Sequence, residues 1–595
     1  MLKLFKLLKP VFIPVIIAII GLLVFQVWCD TNMPEYLGNI TGYIFDNVQN
    51  GTKDYSKIVH DGLIMLGLSA GSVISTIVVS YLSSLVGTSF SATLRDKVYN
   101  KVDSFSKNEI NSFQTASLIT RSTSDIAQIQ MGLIFGIRLL VTSPLTIIIA
   151  LLKMQAASAQ LGLILALVTA ISVLIVMIIV LFFLAYPKFK IIQEKIDKLN
   201  LYSRENLMGV RVIRAYNAEQ YQDQKYEKAN DDFYQVNLYA NKAFSFFNPG
   251  MQVILNLLNL GLIIILAFLI NNGNFGFDPK SIGLGVASQM EFQGLAMQIF
   301  FSFMMLTMLF FMLPRAQISA KRVNEVLNKK LTIIDKEVSA PIDYNSSEPI
   351  IEFKNVAFKY GDANEYVLHN INLACHKGEV VAFIGSTGSG KSTLINLVPR
   401  FFDPTEGQIL YHGVDIKDIH GDILREKMGY VPQAGFLFNT TIRDNMRYAD
   451  ENVSDEQINE ALRIACADDF VAKLEGGLDY KIAGNGKNVS GGQRQRLSIA
   501  RALLKNPDIY IFDDSFSALD FKTDQMVRNN LKNKIQESLT LIVSQRIGTI
   551  LNAQKIVVLD KGRIIGVGTH RELINTCQEY RELAYSQLSK EELGQ

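Results

Sequence analysis

Gly385-Ser386-Thr387-Gly388-Ser389-Gly390-Lys391-Ser392-Thr393 follows directly on the apolar run Val380-Val381-Ala382-Phe383-Ile384. A strand, a glycine-rich turn and a helix start, in that order, wrap backbone N–H groups around the phosphates of a nucleotide. Gly385, Gly388 and Gly390 allow conformations that a Cβ would forbid. Lys391 is placed to reach the β- and γ-phosphates, and the Ser392 hydroxyl to ligand Mg²⁺. The stretch predicts an α/β domain that binds a nucleoside triphosphate with Mg²⁺.

A second acidic strand supports this. Ile509-Tyr510-Ile511-Phe512-Asp513 reads as a buried parallel strand that delivers a carboxylate to Mg²⁺. Just before it, Val489-Ser490-Gly491-Gly492-Gln493-Arg494-Gln495-Arg496 leads into the helical stretch Leu497–Leu504. Ser-Gly-Gly at a helix start is a further anion-binding terminus, one that the loop at Gly385 does not need. This combination resembles the ATP-binding cassette (ABC) family. The resemblance implies that two nucleotide domains close head to tail, each signature motif capping the ATP of the other subunit. It also assigns Tyr360 to stacking on adenine, Gln433 in Tyr430-Val431-Pro432-Gln433 to Mg²⁺, and Ser517-Ala518-Leu519-Asp520 to communication between paired sites. The implied nucleotide-binding set is Tyr360, Gly385 through Thr393, Gln433 and Ser490 through Gln493, with Ser392, Gln433 and Asp513 on the metal.

The remainder of the chain reads as membrane protein. Only 19% of the 595 residues are charged, below the roughly 25% of soluble domains. The net charge of +2 leaves no nucleic-acid footprint. Six apolar stretches are long enough to span a bilayer, which takes about 20 residues as helix. They are Val11–Cys29, Gly62–Val86, Leu133–Leu152, Gln160–Tyr186, Met251–Ile270 and Ile282–Leu313. Lys3, Lys6 and Lys9 precede the first, which we read as a retained span behind a short amphipathic helix. Basic residues crowd the segments between spans two and three (Arg95, Lys97, Lys101, Lys107, Arg121) and between spans four and five, from Lys188 to Lys242. The loop Asp30–Asp61 has only Lys53 and Lys57, and the loop after span five only Lys280. The positive-inside rule then places both termini and both basic segments in the cytoplasm, where ATP is.

Both basic segments have helical periodicity. Leu94–Tyr99 and Leu118–Asp125 resemble the first intracellular loop of ABC exporters, and Glu205–Glu219 the second. One chain carrying six spans and one cassette resembles an exporter half-transporter. The expected fold is an α-helical polytopic membrane domain (1–315), a linker (316–349) and an α/β P-loop cassette (350–588). Cys29, Cys375, Cys466 and Cys577 show no metal-ligand spacing and receive no role.

Two positions depart from the family. After Asp513 it expects glutamate to polarise the attacking water, and this chain has Asp514, one methylene shorter. A base must lie within roughly 2.6–3.2 Å of its proton, so the retraction matters. Where the family has Ser-His-Arg, this chain has Ser544-Gln545-Arg546, and glutamine neither becomes cationic nor relays a proton. Asn485 also replaces the usual glutamate in Gly484-Asn485-Gly486-Lys487. Both catalytic positions, Asp514 and Gln545, are therefore read as degenerate, while Lys391, Ser392 and Asp513 are intact. The chain resembles the degenerate-site subunit of bacterial heterodimeric multidrug exporters, which implies a catalytically competent partner half-transporter and a bacterial plasma membrane. Span six is rich in Phe and Met (Phe300, Phe301, Phe303, Met304, Met305, Met308, Phe310, Phe311, Met312), suited to apolar or amphiphilic small molecules, and it carries Glu291. A lipid or peptide exporter half, and an ATP-binding regulator of a membrane partner, remain alternative readings.

Overall fold

The computed structural model describes residues 10–51, 54–156, 161–271, 279–336, 338–344, 347–361 and 363–588. Lys3, Lys6, Lys9 and the amphipathic helix expected around them lie outside these, as does Gln160. The chain forms two compact units. One comprises the described residues up to Lys101 together with Ile119–Asn328; the other joins Val102–Leu118 to the chain from Lys329 onward.

The first unit is built from long helices. In chain order they are α1 (Phe12–Asn50), α2 (Ser56–Asp103, whose last residues belong to the second unit), then, after the short α3 (Lys107–Phe113) of the second unit and α4 (Thr115–Ser122), which the division crosses, α5 (Ser124–Ala156), α6 (Leu161–Ala215), α7 (Glu219–Ser245), α8 (Phe247–Asn271) and α9 (Pro279–Leu327). Five stretches among the described residues are long and apolar enough to cross a membrane: Phe12–Val48, Ser56–Asp103, Thr115–Met154, Glu219–Ile265 and Gly285–Leu327. The remaining expected span falls in α6, whose apolar part is Leu165–Leu181. Length explains what else these helices do. At about 1.5 Å per residue a helix the size of α6 runs roughly 80 Å, against roughly 40–45 Å for a bilayer with headgroups, so much of it lies outside.

The segment Asp30–Asp61 is not the loop that its polarity indicates. Helices α1 and α2 run through most of it, leaving residues 51–55 between them. Gly51 closes α1 at φ 60°, its N–H donating to the Asn47 carbonyl, a left-handed C-cap that favours glycine. Polar residues here sit on helical turns rather than in extended chain. Helices α1 and α9 approach closely through small residues: a Cβ on Gly38 would stand 2.9 Å from the Ala287 carbonyl oxygen, and one on Gly294 2.7 Å from Pro34 Cβ. At the other end of α9, the buried Ser319 hydroxyl donates to Asp125 at 2.6 Å, and Arg121 reaches Glu325 at 2.8 Å.

The second unit holds two sheets. β1 (Ile351–Phe358), β2 (Leu368–Cys375), β4 (Glu406–Tyr411) and β5 (Val414–Asp415) form an antiparallel sheet of order β2-β1-β4-β5. β3 (Val380–Gly385), β6 (Met428–Val431), β7 (Ile509–Asp513), β8 (Leu539–Val543), β9 (Lys555–Asp560) and β10 (Arg563–Gly568) form the other, of order β10-β9-β3-β8-β7-β6. Its strands are parallel except β10, which pairs antiparallel with β9. β7 and β8 are buried at every position, as expected of strands covered on both faces. One apolar core, with Phe353, Phe383, Ile395, Phe402 and Tyr411, packs the antiparallel sheet against the parallel strands. A second, with Leu437, Ile458, Leu462, Leu497 and Phe512, carries the helical part.

Candidate nucleotide site

Sheet order assembles the site. β3, β8, β7 and β6 are consecutive neighbours, so the segments leaving their C-terminal ends lie side by side. These are Gly385–Thr393 after β3, Ser544-Gln545 after β8, Asp513-Asp514 at the end of β7, and Gln433 beyond β6. Ligand sites of α/β sheets form at this edge, where loops diverge and helix N-termini converge.

After β3 the chain turns into helix α10 (Lys391–Leu397). Gly390 has φ 98°, and a Cβ on it would stand 2.8 Å from Leu368 Cδ2 and 3.2 Å from the Val367 carbonyl oxygen. A Cβ on Gly385 would stand 2.0 Å from the Leu559 carbonyl oxygen. The loop is therefore a backbone cradle with no room for side chains at its two ends. Lys391 is only 7% exposed and donates to Gly385 O (2.9 Å), Ser386 O (2.7 Å) and Ser389 Oγ (3.1 Å). Burial pulls its ammonium below the ordinary lysine value, against the attraction of Asp514 and Asp513.

The acidic end lies beside it. The Ser392 hydroxyl donates to Asp513 Oδ1 at 2.8 Å, and Gln433 Nε2 to Asp514 Oδ2 at 3.3 Å. Asp514 takes φ 48°, a left-handed region in which Asp and Asn are enriched, and its N–H donates to the Val543 carbonyl at 3.0 Å. Burial pushes both carboxyls up. For Asp513 the Ser392 bond opposes this and the Asp514 charge adds to it; for Asp514 the opposing groups include Ser517, Gln433 and the Gln545 backbone N–H. The residues fit Mg²⁺ and a polyphosphate by the cradle the loop forms and by the chemistry of their donors. Ser392, Asp513 and Gln433 offer oxygen donors for the hard cation, while Lys391 and the loop's N–H groups suit the anion.

The signature region is laid out differently. Ser490 caps helix α11 (Gly491–Leu504) in a closed capping box: its hydroxyl accepts from the Gln493 N–H at 3.2 Å, and Gln493 Oε1 accepts from the Ser490 N–H at 2.9 Å. Gly491 is exposed and Gly492 half-buried, so this N-terminus faces outward from the chain. Asn485 has φ 60°, and its carbonyl accepts from Arg494 Nη1 at 3.0 Å. The Tyr360 ring meets Phe402 edge-on at 5.2 Å, and its hydroxyl lies 2.9 Å from that of Thr393. Gln545 points its side chain to solvent.

Some participants were not singled out from sequence. Gln495, 1% exposed, donates to Pro432 O at 3.1 Å and accepts from the Gly435 N–H at 3.0 Å, tying the signature helix to the segment of Gln433. Its signal was present: a polar residue at a core-facing position of α11, inside a motif already quoted. Glu109 stands three residues after Ser106 in the capping-box spacing; Gln587, treated below, left no such trace.

Long spanning helices joined to a cassette with a phosphate cradle, a two-carboxylate strand end and an outward-facing signature define an ATP-using membrane transporter. The family models for the ABC transporter transmembrane region and for the ABC transporter match residues 16–280 and 368–517. An uncharacterized ABC transporter ATP-binding protein of Mycobacterium tuberculosis is 34% identical over 559 residues, covering 93% of each chain. An ATP-dependent lipid A-core flippase of Syntrophus aciditrophicus is 31% identical over 524 residues, covering 86% of this chain and 83% of the relative. A solved structure of a bacterial Atm1-family ABC exporter with ATP bound shares the fold, with a TM-score of 0.77 at 23% identity, over 98% of this chain and 99% of that one. The chain belongs to the ABC transporter family, as an exporter half-transporter with fused transmembrane and ATP-binding domains.

Proposed function

We propose that this chain is the degenerate-site half of a heterodimeric exporter in a bacterial plasma membrane, with both termini cytoplasmic. Its own site, from Gly385–Thr393, Tyr360, Gln433 and Asp513, binds Mg-ATP but hydrolyses it slowly. Ser490 through Gln493 cap the competent site of a partner half-transporter.

The observation that carries this reading is the contrast within one sheet edge. The binding groups are assembled, with Lys391 bonded into the loop and Ser392 on Asp513 at 2.8 Å. At the chemical end stand Asp514, a short base already bonded by Gln433, and Gln545, which has no basic nitrogen. Bound ATP supplies the phosphoryl group and Mg²⁺ the charge neutralisation. Lys391 and the loop amides orient the phosphates, and Asp514, directly after the last residue of β7, would hold a water's proton.

Cationic amphiphiles are the substrate class we favour. Lys153 on α5 donates to Asn32 Oδ1 (2.6 Å) and Glu35 Oε2 (2.8 Å) of α1, and Glu291 of α9 lies within the field of both Glu35 and Lys153. Acidic and basic side chains gathered among the spanning helices usually mark a wet cavity or substrate path. Phe301, Met305 and Met308 add exposed apolar surface on the same helix. The relatives named as lipid A-core flippases favour a second reading, export of an anionic lipid.

The test is hydrolysis by the purified full-length chain in lipid without a partner. We expect ATP to bind and to turn over far more slowly than in an ordinary exporter. Robust Mg-ATPase activity would overturn the degenerate-site reading. In the assembled complex, stimulation by lipid A rather than by cationic amphiphiles would decide for the second substrate class.

A further inference from the structure

Gln587 is the last residue of α12 (Gln578–Gln587), the C-terminal helix. This helix packs against the sheet face that bears β3 and β9, with Tyr580 and Ala584 fully buried beside Ala382, Ile384, Ile556 and Val558. A cavity of about 300 Å³ is lined by Gly385 and Ser386 on one side and by Glu579, Glu582, Leu583 and Ser586 of this helix on the other. At its end the helix also reaches the segment after β8 through one amide. Gln587 Nε2 donates to the Gln545 carbonyl at 2.8 Å, and Gln587 Oε1 accepts from the Ile547 N–H at 2.8 Å. A backbone N–H only donates and a backbone carbonyl only accepts, so this pair of bonds fixes which end of the amide is which.

The far side of Gln545 is also held. Its backbone N–H lies near enough to the Asp514 carboxylate to oppose the upward push of burial there. Arg546 donates to the carbonyls of Leu519 (3.2 Å) and Ser517 (3.0 Å), and the Ser517 hydroxyl in turn donates to the Asp514 carbonyl at 2.7 Å. The segment 544–547 is thus clamped between Asp514 on one side and the C-terminal helix on the other. Lys391, Ser392 and the glycines of the loop have their own anchors, none of which is Gln587.

We propose that Gln587 is a positioning residue for ATP hydrolysis: through its two bonds to the Gln545–Ile547 backbone, the C-terminal helix holds that segment against Asp514. This rests on the reading that the chain's own site binds ATP with Asp514 and Gln545 at its chemical end. Turnover then depends on the C-terminal helix, and ATP affinity does not. Because Gln587 is exposed at a helix end, its substitution leaves the packing of Tyr580 and Ala584 in place.

The experiment compares Gln587→Ala and Gln587→Glu in the full-length chain, in its assembled, lipid-reconstituted form, with Mg-ATP. Gln587→Glu keeps an acceptor for the Ile547 N–H but sets a carboxylate against the Gln545 carbonyl. Equilibrium ATP binding and single-turnover hydrolysis of the ATP retained at this site are read side by side. Both variants should slow that hydrolysis threefold or more, with ATP affinity unchanged within twofold. In an Asp514→Asn background the effect of Gln587→Ala should vanish. An unchanged rate, a parallel loss of affinity, or an undiminished effect in the Asp514→Asn background would overturn the proposal. Fast hydrolysis by the unsubstituted chain would sink the slow-site reading alone, because Gln587 is judged on the ratio of variant to parent.

Discussion

Glu109 is 1% exposed on the short helix α3, and its charge is satisfied within the cassette unit. Oε1 accepts from the Thr332 N–H at 3.0 Å, and Oε2 from the Ser106 N–H at 2.7 Å and the Ser106 hydroxyl at 2.5 Å. Burial alone would raise this carboxyl; the donors of Ser106 and Thr332 prevail and hold it below the ordinary glutamate value. A carboxylate with a depressed native pKa stabilises the fold above its unfolded pKa and loses that contribution as pH falls through the native one. Exchange protection of the Thr332 amide should therefore be full at neutral pH and decline as pH drops through and below the usual glutamate range. Glu109→Gln turns an NH₂ toward a donor, which typically costs about 1–3 kcal/mol, so Thr332 exchange should quicken by roughly tenfold or more at neutral pH. The variant should also lose the acid dependence. A Thr332 amide that exchanges alike in both proteins would remove Glu109 from this role.

At the scale of elements, helix α11 shows how one residue can serve two purposes. Ser490 caps its own helix and, in the proposed dimer, points its N-terminus at the partner's nucleotide. Ser490→Ala removes the cap, worth about 0.5–2 kcal/mol, and the oriented hydroxyl together. Losing one donor to a developing anion costs about 2.7–4 kcal/mol, a hundredfold or more in rate. We expect Ser490→Ala to cut hydrolysis by the assembled complex on that order, whereas Ser490→Asp, which preserves a cap, should retain stability but not the rate. Turnover unchanged in both would mean that α11 does not cap the partner's site. The start of α11 is legible in sequence as Ser-Gly-Gly before a helical run, and the spacing from Ser490 to Gln493 is that of the capping box the structure closes.

For the whole molecule, the slow site proposed above raises the question of use. Restoring the family residues with Asp514→Glu and Gln545→His in the assembled complex should raise hydrolysis at this site without raising transport in proportion. In the proposed heterodimer, retained ATP would keep the two nucleotide domains partly associated, so that each cycle reorganises only half of their interface. Two labile sites would add an encounter step. Transport per ATP in reconstituted vesicles should fall; faster transport at unchanged coupling would mean that the retained ATP has no mechanical use.

What the sequence by itself determined is whatever depends on near neighbours along the chain. The run Val380–Ile384 before Gly385, the acidic end of Ile509–Asp513 and six apolar stretches each carry a periodicity or spacing that a local rule reads. Tertiary structure alone decided which of these meet. Lys391, Asp513 and Gln545 lie at one sheet edge because β3, β8 and β7 are neighbours in the sheet, an order set by burying both faces of parallel strands over the whole domain. Polarity between Asp30 and Asp61 implied a loop, yet the helices continue, because backbone bonding and packing of α1 against α9 outweigh composition there. The bond from Glu109 to Thr332 spans 223 residues, and that from Gln587 to Gln545 spans 42. A single polar contact at the end of a helix leaves no repeat in the sequence, so only the folded chain brings its two partners together.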